Sequence, residues 1–155
     1  MAVSIQREDF DAAAESAALR AGGGDIGAIV AFTGICRSDN GRLAALELDA
    51  YPEMAQAEIA RIVEEARSRW PLEAVRVIHR YGRIAPGENI VLVLTASSHR
   101  QAAFEAAEFL MDYLKTRAPF WKKEHLADAA GNWVEARQID EAAAERWAAG
   151  GKKSA

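Results

Sequence analysis

A single cysteine, Cys36, in 155 residues leaves no internal disulfide framework to hold the fold. A reducing, cytoplasmic setting fits that usage best. Long apolar runs are missing as well, and no stretch approaches the roughly 20 residues a membrane span needs. The opening MAVSIQREDFDAAAES lacks the basic start and apolar stretch of a secretory signal. Positive charge is not in excess: the formal net charge is -4 and the pI is near 5.4. That balance argues against a general nucleic-acid binder but leaves room for a local anion site. His79, His99 and His125 are scattered without metal-ligand spacing, so neither a metal nor a cofactor is expected. There is no P-loop, no dinucleotide-binding glycine fingerprint, no internal repeat and no low-complexity linker.

What is present is an apolar half, enough to bury a core in one domain. That domain is expected over 1–148, with 149–155 a frayed tail. Residues 3–6 read as a short strand and 9–20 as an Ala-rich helix, which Gly22-Gly23-Gly24 breaks. Residues 28–34 (AIVAFTG), 43–50, 75–81 and 90–96 (IVLVLTA) read as strands, and 133–138 as a final one. Ser38-Asp39-Asn40-Gly41 and Ala85-Pro86-Gly87-Glu88 mark turns.

Pro52 and Glu53 suit the first turn of a helix running to about Arg69. A second long helix is expected over 99–117, with Ser98 and Gln101 in capping-box positions. Ala103, Ala107, Leu110 and Leu114 form its apolar face, with Phe104 and Met111 beside them. Pro119 stops it, and a short helix over 140–147 takes Asp140 as its cap. Strands and helices mix without strict alternation, which points to an α+β fold.

Charge concentrates in MDYLKTRAPFWKKE, residues 111–124, where Lys115, Arg117, Lys122 and Lys123 surround Phe120 and Trp121. Lys115 and Arg117 suit a helix C-terminus on electrostatic grounds alone. Lys122 and Lys123 lie beyond Pro119, where that reason weakens. If Phe120 and Trp121 anchor the segment, the lysines are positioned, and a lysine near other cations is a candidate acid, base or nucleophile. On spacing alone, a solvated basic loop fits slightly better. At the other end of the same helix, His99 and Arg100 stand where acids are preferred, which suits either an anion or simple solvation. Arg37, after the strand end Thr33-Gly34-Ile35-Cys36, is a third candidate anion contact. Cys36 has no Cys-x-x-Cys partner and reads as a small buried hydrophobe. His79-Arg80 ahead of Gly82 reads as a structural strand terminus.

Taken together, FTGICR at 32–37, HRYGRIAPGE at 79–88, SSHRQAAFEAAEFLMDYLKTRAPFWKKE at 97–124 and WVEAR at 133–137 resemble the large, catalytic subunit of molybdopterin synthase. The long central block is the most specific of these. The resemblance implies an α/β hammerhead-type fold with a mainly antiparallel sheet and packed helices. It also implies a homodimer that binds two small ubiquitin-like sulfur-carrier subunits, forming a heterotetramer. The carrier's C-terminal Gly-Gly thiocarboxylate would deliver sulfur, in two rounds, to cyclic pyranopterin monophosphate, giving the molybdopterin dithiolene. By family position, Lys115 and Lys122 are the catalytic candidates. Ile35, Cys36, Arg37, His99, Arg100, Lys123, Glu124 and Arg137 match pocket positions, with Ile35 and Cys36 contributing backbone. His99 and Arg100 could serve the neighbouring protomer's Lys115. The family chemistry does not call for a cysteine in the FTG-x-x-R loop, so Cys36 is not counted as catalytic. The alternative function is an anion- or nucleotide-binding module without catalysis.

Overall fold

The computed structural model describes residues 2–127, 133–134 and 143–148. Two four-stranded sheets carry the fold. The first contains β1 (Val3–Gln6), β4 (Ala74–Arg80), β6 (Asn89–Ser97) and β2 (Ala28–Ile35), in that spatial order. The second contains β5 (Gly82–Ile84), β3 (Leu43–Ala50), β7 (Phe120–Leu126) and β8 (Trp133–Val134). Every strand pair is antiparallel except β1 with β4, so the fold is α+β with mainly antiparallel sheets.

Strand alternation divides the first sheet into two faces. Val75, Val77, Val91 and Val93 pack with Ile59, Ile62 and Val63 of α2 (Pro52–Arg69) and with Ala106, Phe109 and Leu110 of α3 (Arg100–Thr116). Ile78, Leu92 and Leu94 point the other way, against Ala12 and Leu19 of α1 (Ala12–Ala21) and Phe10. Both faces of β6 are thus covered, which is why IVLVLTA is apolar throughout rather than alternating. Trp70, Phe109 and Trp147 close one end of the larger core with ring centroids 5.3 to 5.8 Å apart. The Trp70 indole N–H donates to Glu105 at 2.8 Å and that of Trp147 to Asp112 at 2.6 Å.

Several sequence expectations hold closely. The α2 helix begins at Pro52 and ends at Arg69 as its stripe and caps indicate. Others are corrected. The first helix starts at Ala12 rather than residue 9, because Asp11 accepts the Ala14 N–H at 3.0 Å as N-cap. Asp9 instead accepts from the Asn89 side-chain amide at 2.8 Å.

The capping box at Ser98 does not form. The Ser98 hydroxyl donates to Asp25 O at 2.8 Å, Gln101 donates to Glu105, and His99 is the N-cap without a side-chain bond. Phe104 lies on the open side of α3, 62% exposed, while Ala102 and Ala106 take the buried positions. Strands β5 and β7 were not anticipated. Of the expected strand over 133–138, Trp133–Val134 is seen. Residues 135–138, the Asp140 cap and the tail at 149–155 lie outside the described residues.

The chain passes between the sheets at one end of the molecule. β4 runs directly into β5 through Tyr81 and Gly82, and Gly82 adopts a φ of +89°. That left-handed conformation favours glycine, and a Cβ there would also lie 2.7 Å from Arg7 Nη1. The β2–β3 loop and the turn after β5 gather at the same end, which places three connections around one junction.

Candidate active site

The junction brings part of the basic cluster to the FTGICR loop. β6 leaves the junction and α3 returns to it, so the last turn of α3, with Lys115, sits near the start of β6. A tight turn follows, closed by Arg117 N–H to Tyr113 O and by Phe120 N–H to Ala118 O, both at 2.8 Å. Tyr113 anchors that last turn to α2: its hydroxyl donates to Glu58 and accepts from Arg61. Burial, then the Glu58 carboxylate, push its pKa up to about 12, so it remains a phenol.

β7 then starts, and its register against β3 fixes each side chain. Phe120 lies opposite Ala50, Lys122 opposite Leu48, and Glu124 opposite Leu46. Alternation puts Phe120, Lys122 and Glu124 on one face, shared with the buried Leu46 and Leu48. Trp121, Lys123 and His125 share the other face with Asp49, Glu47 and Ala45. On that outer face His125 Nε2 lies 2.9 Å from Glu47 Oε1. This contact is the main reason the Glu47 carboxyl is held below its usual range. Trp121 packs edge-on against Tyr51 at 5.8 Å and stays 48% exposed. Of the two aromatics, Phe120 is therefore the inward anchor.

The Lys122 charge reaches Cys36 in the loop at 35–37. Cys36 packs with Leu46, Leu48 and Ile84. Its backbone is clamped by two bonds to the β5–β6 turn, Cys36 N–H to Glu88 O at 2.9 Å and Gly87 N–H to Cys36 O at 2.8 Å. Arg80 steadies the same turn, donating to Asn89 O at 2.8 Å from a buried guanidinium. Arg37 follows, its side chain 72% exposed and 3.9 Å from Asp39. Ile35 is exposed beside it. The loop closes through left-handed Asp39, Asn40 and Gly41, as the turn signal predicts.

Burial pushes the Cys36 thiol up, against a weaker pull from the Lys122 charge. A thiol so placed is a poor nucleophile. Cys36→Ala is expected to leave turnover at this site within about threefold, because a buried thiol with a raised pKa is a poor nucleophile. A loss of several orders of magnitude in a variant with an intact thermal melt would make Cys36 a participant.

His99 and Arg100 are elsewhere. Both are exposed at the first turn of α3. Arg100 and Lys115 stand 15 residues apart on one helix, a rise of about 22 Å. One chain therefore cannot close both groups around one small molecule. Arg137 lies outside the described residues. Sequence reasoning takes His79 as structural, and its buried ring stacks on Phe120 with centroids 3.8 Å apart and planes inclined by 19°. The signal was its place two residues after Val77 on the α2–α3 face.

The chain is thus an α+β scaffold with Lys115 on the last turn of α3, Lys122 on the inward face of β7, and His99 and Arg100 at the far end of α3. The chain belongs to the MoaE protein family, whose model matches residues 5–117. It is 65% identical to a molybdopterin synthase catalytic subunit from Mesorhizobium japonicum, over 94% of this chain and 92% of that protein. A protein of the same description from Brucella melitensis is 60% identical over 95% of this chain and 91% of its own length. Among solved structures, a molybdopterin biosynthesis MoaE protein from Burkholderia ambifaria superposes with a TM-score of 0.80 at 48% identity, covering 95% of this chain and 98% of that one. A molybdopterin synthase from Staphylococcus aureus gives 0.76 at 30% identity, covering 84% and 95%.

Proposed function

We propose that this chain is the catalytic subunit of a molybdopterin synthase, moving sulfur from the thiocarboxylated C-terminus of a small carrier protein to cyclic pyranopterin monophosphate. The observation that supports this reading is a chain of neighbours at the junction: the Lys122 charge reaches Cys36 of the 35–37 loop, and the Lys115 charge reaches His79, which stacks on Phe120 at the start of β7. Lys115 serves the carrier's acyl carbon. Once the sulfur has bonded to the pterin, water adds to the acyl carbon and negative charge builds on the carbonyl oxygen, a state a fixed ammonium group lowers in energy; its collapse breaks the acyl–sulfur bond, leaving sulfur on the pterin and the carrier as its carboxylate. Lys122, on the inward face of β7, serves the pterin and its phosphate, with Arg37 and Glu124 at the rim. Lys123 faces outward and acts only indirectly, through the carrier or through β7.

His99 and Arg100 complete the pocket from a second protomer, because α3 holds them about 22 Å from their own Lys115. The active assembly is then a homodimer flanked by two carriers, working in the cytoplasm. Among the described residues no helix is long and apolar enough to cross a membrane. An RNA-binding module is the weaker reading. The outward Trp121 and Lys123 share their face with Asp49 and Glu47, which opposes a phosphate backbone.

The direct test is reconstitution. The purified chain, mixed with thiocarboxylated carrier and cyclic pyranopterin monophosphate, is expected to form a dithiolene and to return the carrier as its carboxylate. No dithiolene with an intact thiocarboxylated carrier in excess would end this reading.

A further inference from the structure

His79 is the one histidine buried in the core. It is the next-to-last residue of β4, on the face covered by α2 and α3, and it is 7% exposed. Its Nδ1 lies 2.9 Å from Arg80 O. A carbonyl accepts only, so Nδ1 carries the proton and Nε2 the lone pair. Burial pushes the ring's pKa down to about 4; the bond to Arg80 O opposes this, and the nearby Lys115 charge adds to it. The ring is neutral at working pH.

A leucine or methionine would fill this volume without the cost of burying a polar ring. What the imidazole supplies is a flat surface with a fixed orientation. Phe120 lies on that surface at 3.8 Å, and the turn between α3 and Phe120 leaves little slack.

Resting on the sulfur-transfer reading above, we propose that His79 is a positioning residue for the two lysines: its oriented ring is the platform for Phe120, which sets where β7 begins and how Lys122 stands relative to Lys115. Three elements meet at this ring. β4 supplies it, β7 lies on it through Phe120, and the last turn of α3 comes near enough for the Lys115 charge to act on it. Nothing in the transfer itself requires His79 to touch substrate.

The test compares His79→Leu with His79→Phe in single-turnover and steady-state sulfur transfer, with thermal melts of each. His79→Leu keeps an apolar side chain but loses the flat platform. Its kcat is expected to fall about 100-fold, the scale of a misplacement near 1 Å, while KM for the carrier stays within about threefold. His79→Phe restores the stack and should recover at least about tenfold of that loss. A cooperative melt with wild-type kcat in His79→Leu would overturn the proposal. So would a parallel worsening of kcat and KM with a collapsed melt, or a loss that Phe does not recover. A second measurement needs no turnover. Long-range proton–nitrogen spectra of the wild-type chain should show the Nδ1–H tautomer at neutral pH, and the Nε2 resonance should move in Lys115→Gln. An Nε2–H tautomer, or an unmoved resonance, overturns the proposal even where sulfur transfer itself is absent. Absent transfer with the expected spectra would instead count against the assigned reaction.

Discussion

Lys115→Ala is expected to fold, to bind the carrier, and to lose turnover by about 100-fold or more. That is the scale set by removing one preorganised electrostatic contact from a transition state. The residue is exposed on the last turn of α3. As a surface charge there it would contribute no more than about 0.5 kcal/mol to stability, so the thermal melt should barely move. Lys115→Arg should not restore the rate. A guanidinium is broader, stays protonated and cannot pass a proton at neutral pH. Lys122→Ala should also be slow, with the larger part of its defect in pterin affinity, because it stands on the inward face of β7 opposite Leu48. Single-turnover transfer from thiocarboxylated carrier separates the two, since carrier and pterin concentrations vary independently. Wild-type rates in Lys115→Ala would return the cluster to an ordinary solvated helix end.

Mixing two inactive variants should give an active enzyme. Arg100→Ala and Lys115→Ala damage opposite ends of α3. If each pocket draws its Lys115 from one protomer and its Arg100 from the partner, a mixed dimer holds one pocket with both residues intact. Random exchange gives half mixed dimers with one good pocket in two, so activity should recover to about a quarter of wild type. Size-exclusion with light scattering should find the dimer throughout. If instead both residues acted within one chain, every pocket in the mixture would carry a lesion and no recovery would follow. The two variants would then each lower the rate without complementing.

Which parts of this site could be read from the sequence follows from how each residue is used. α2 was legible because Pro52, Glu53 and the Ile59, Ile62, Val63 stripe all favour the same helix. β6 was legible because both its faces are buried. β7 was not, although it carries Lys122. Its inward face runs Phe120, Lys122, Glu124, Leu126, so two charged residues stand where alternation would place apolar ones. A strand that turns charged groups inward loses the pattern by which strands are recognised. Ser98 failed as a cap for a similar reason, its hydroxyl being committed to Asp25 O. His79 looked structural from the sequence, and it is buried; only the ring stacked on it shows what that burial supports.

The length of α3 has a further consequence. A helix that merely covers a sheet tolerates an added residue near its middle by letting one end fray. This helix carries Arg100 at one end and Lys115 at the other, and in the proposed two-fold assembly those ends would belong to different pockets. Each added residue would turn one end against the other by about 100° and lengthen the span by about 1.5 Å. Both pockets would fall out of phase together, through a change that touches neither. With pockets shared in the proposed way, α3 would act as a gauge bar between them, and its residue count would be constrained by their spacing as well as by the core beneath it.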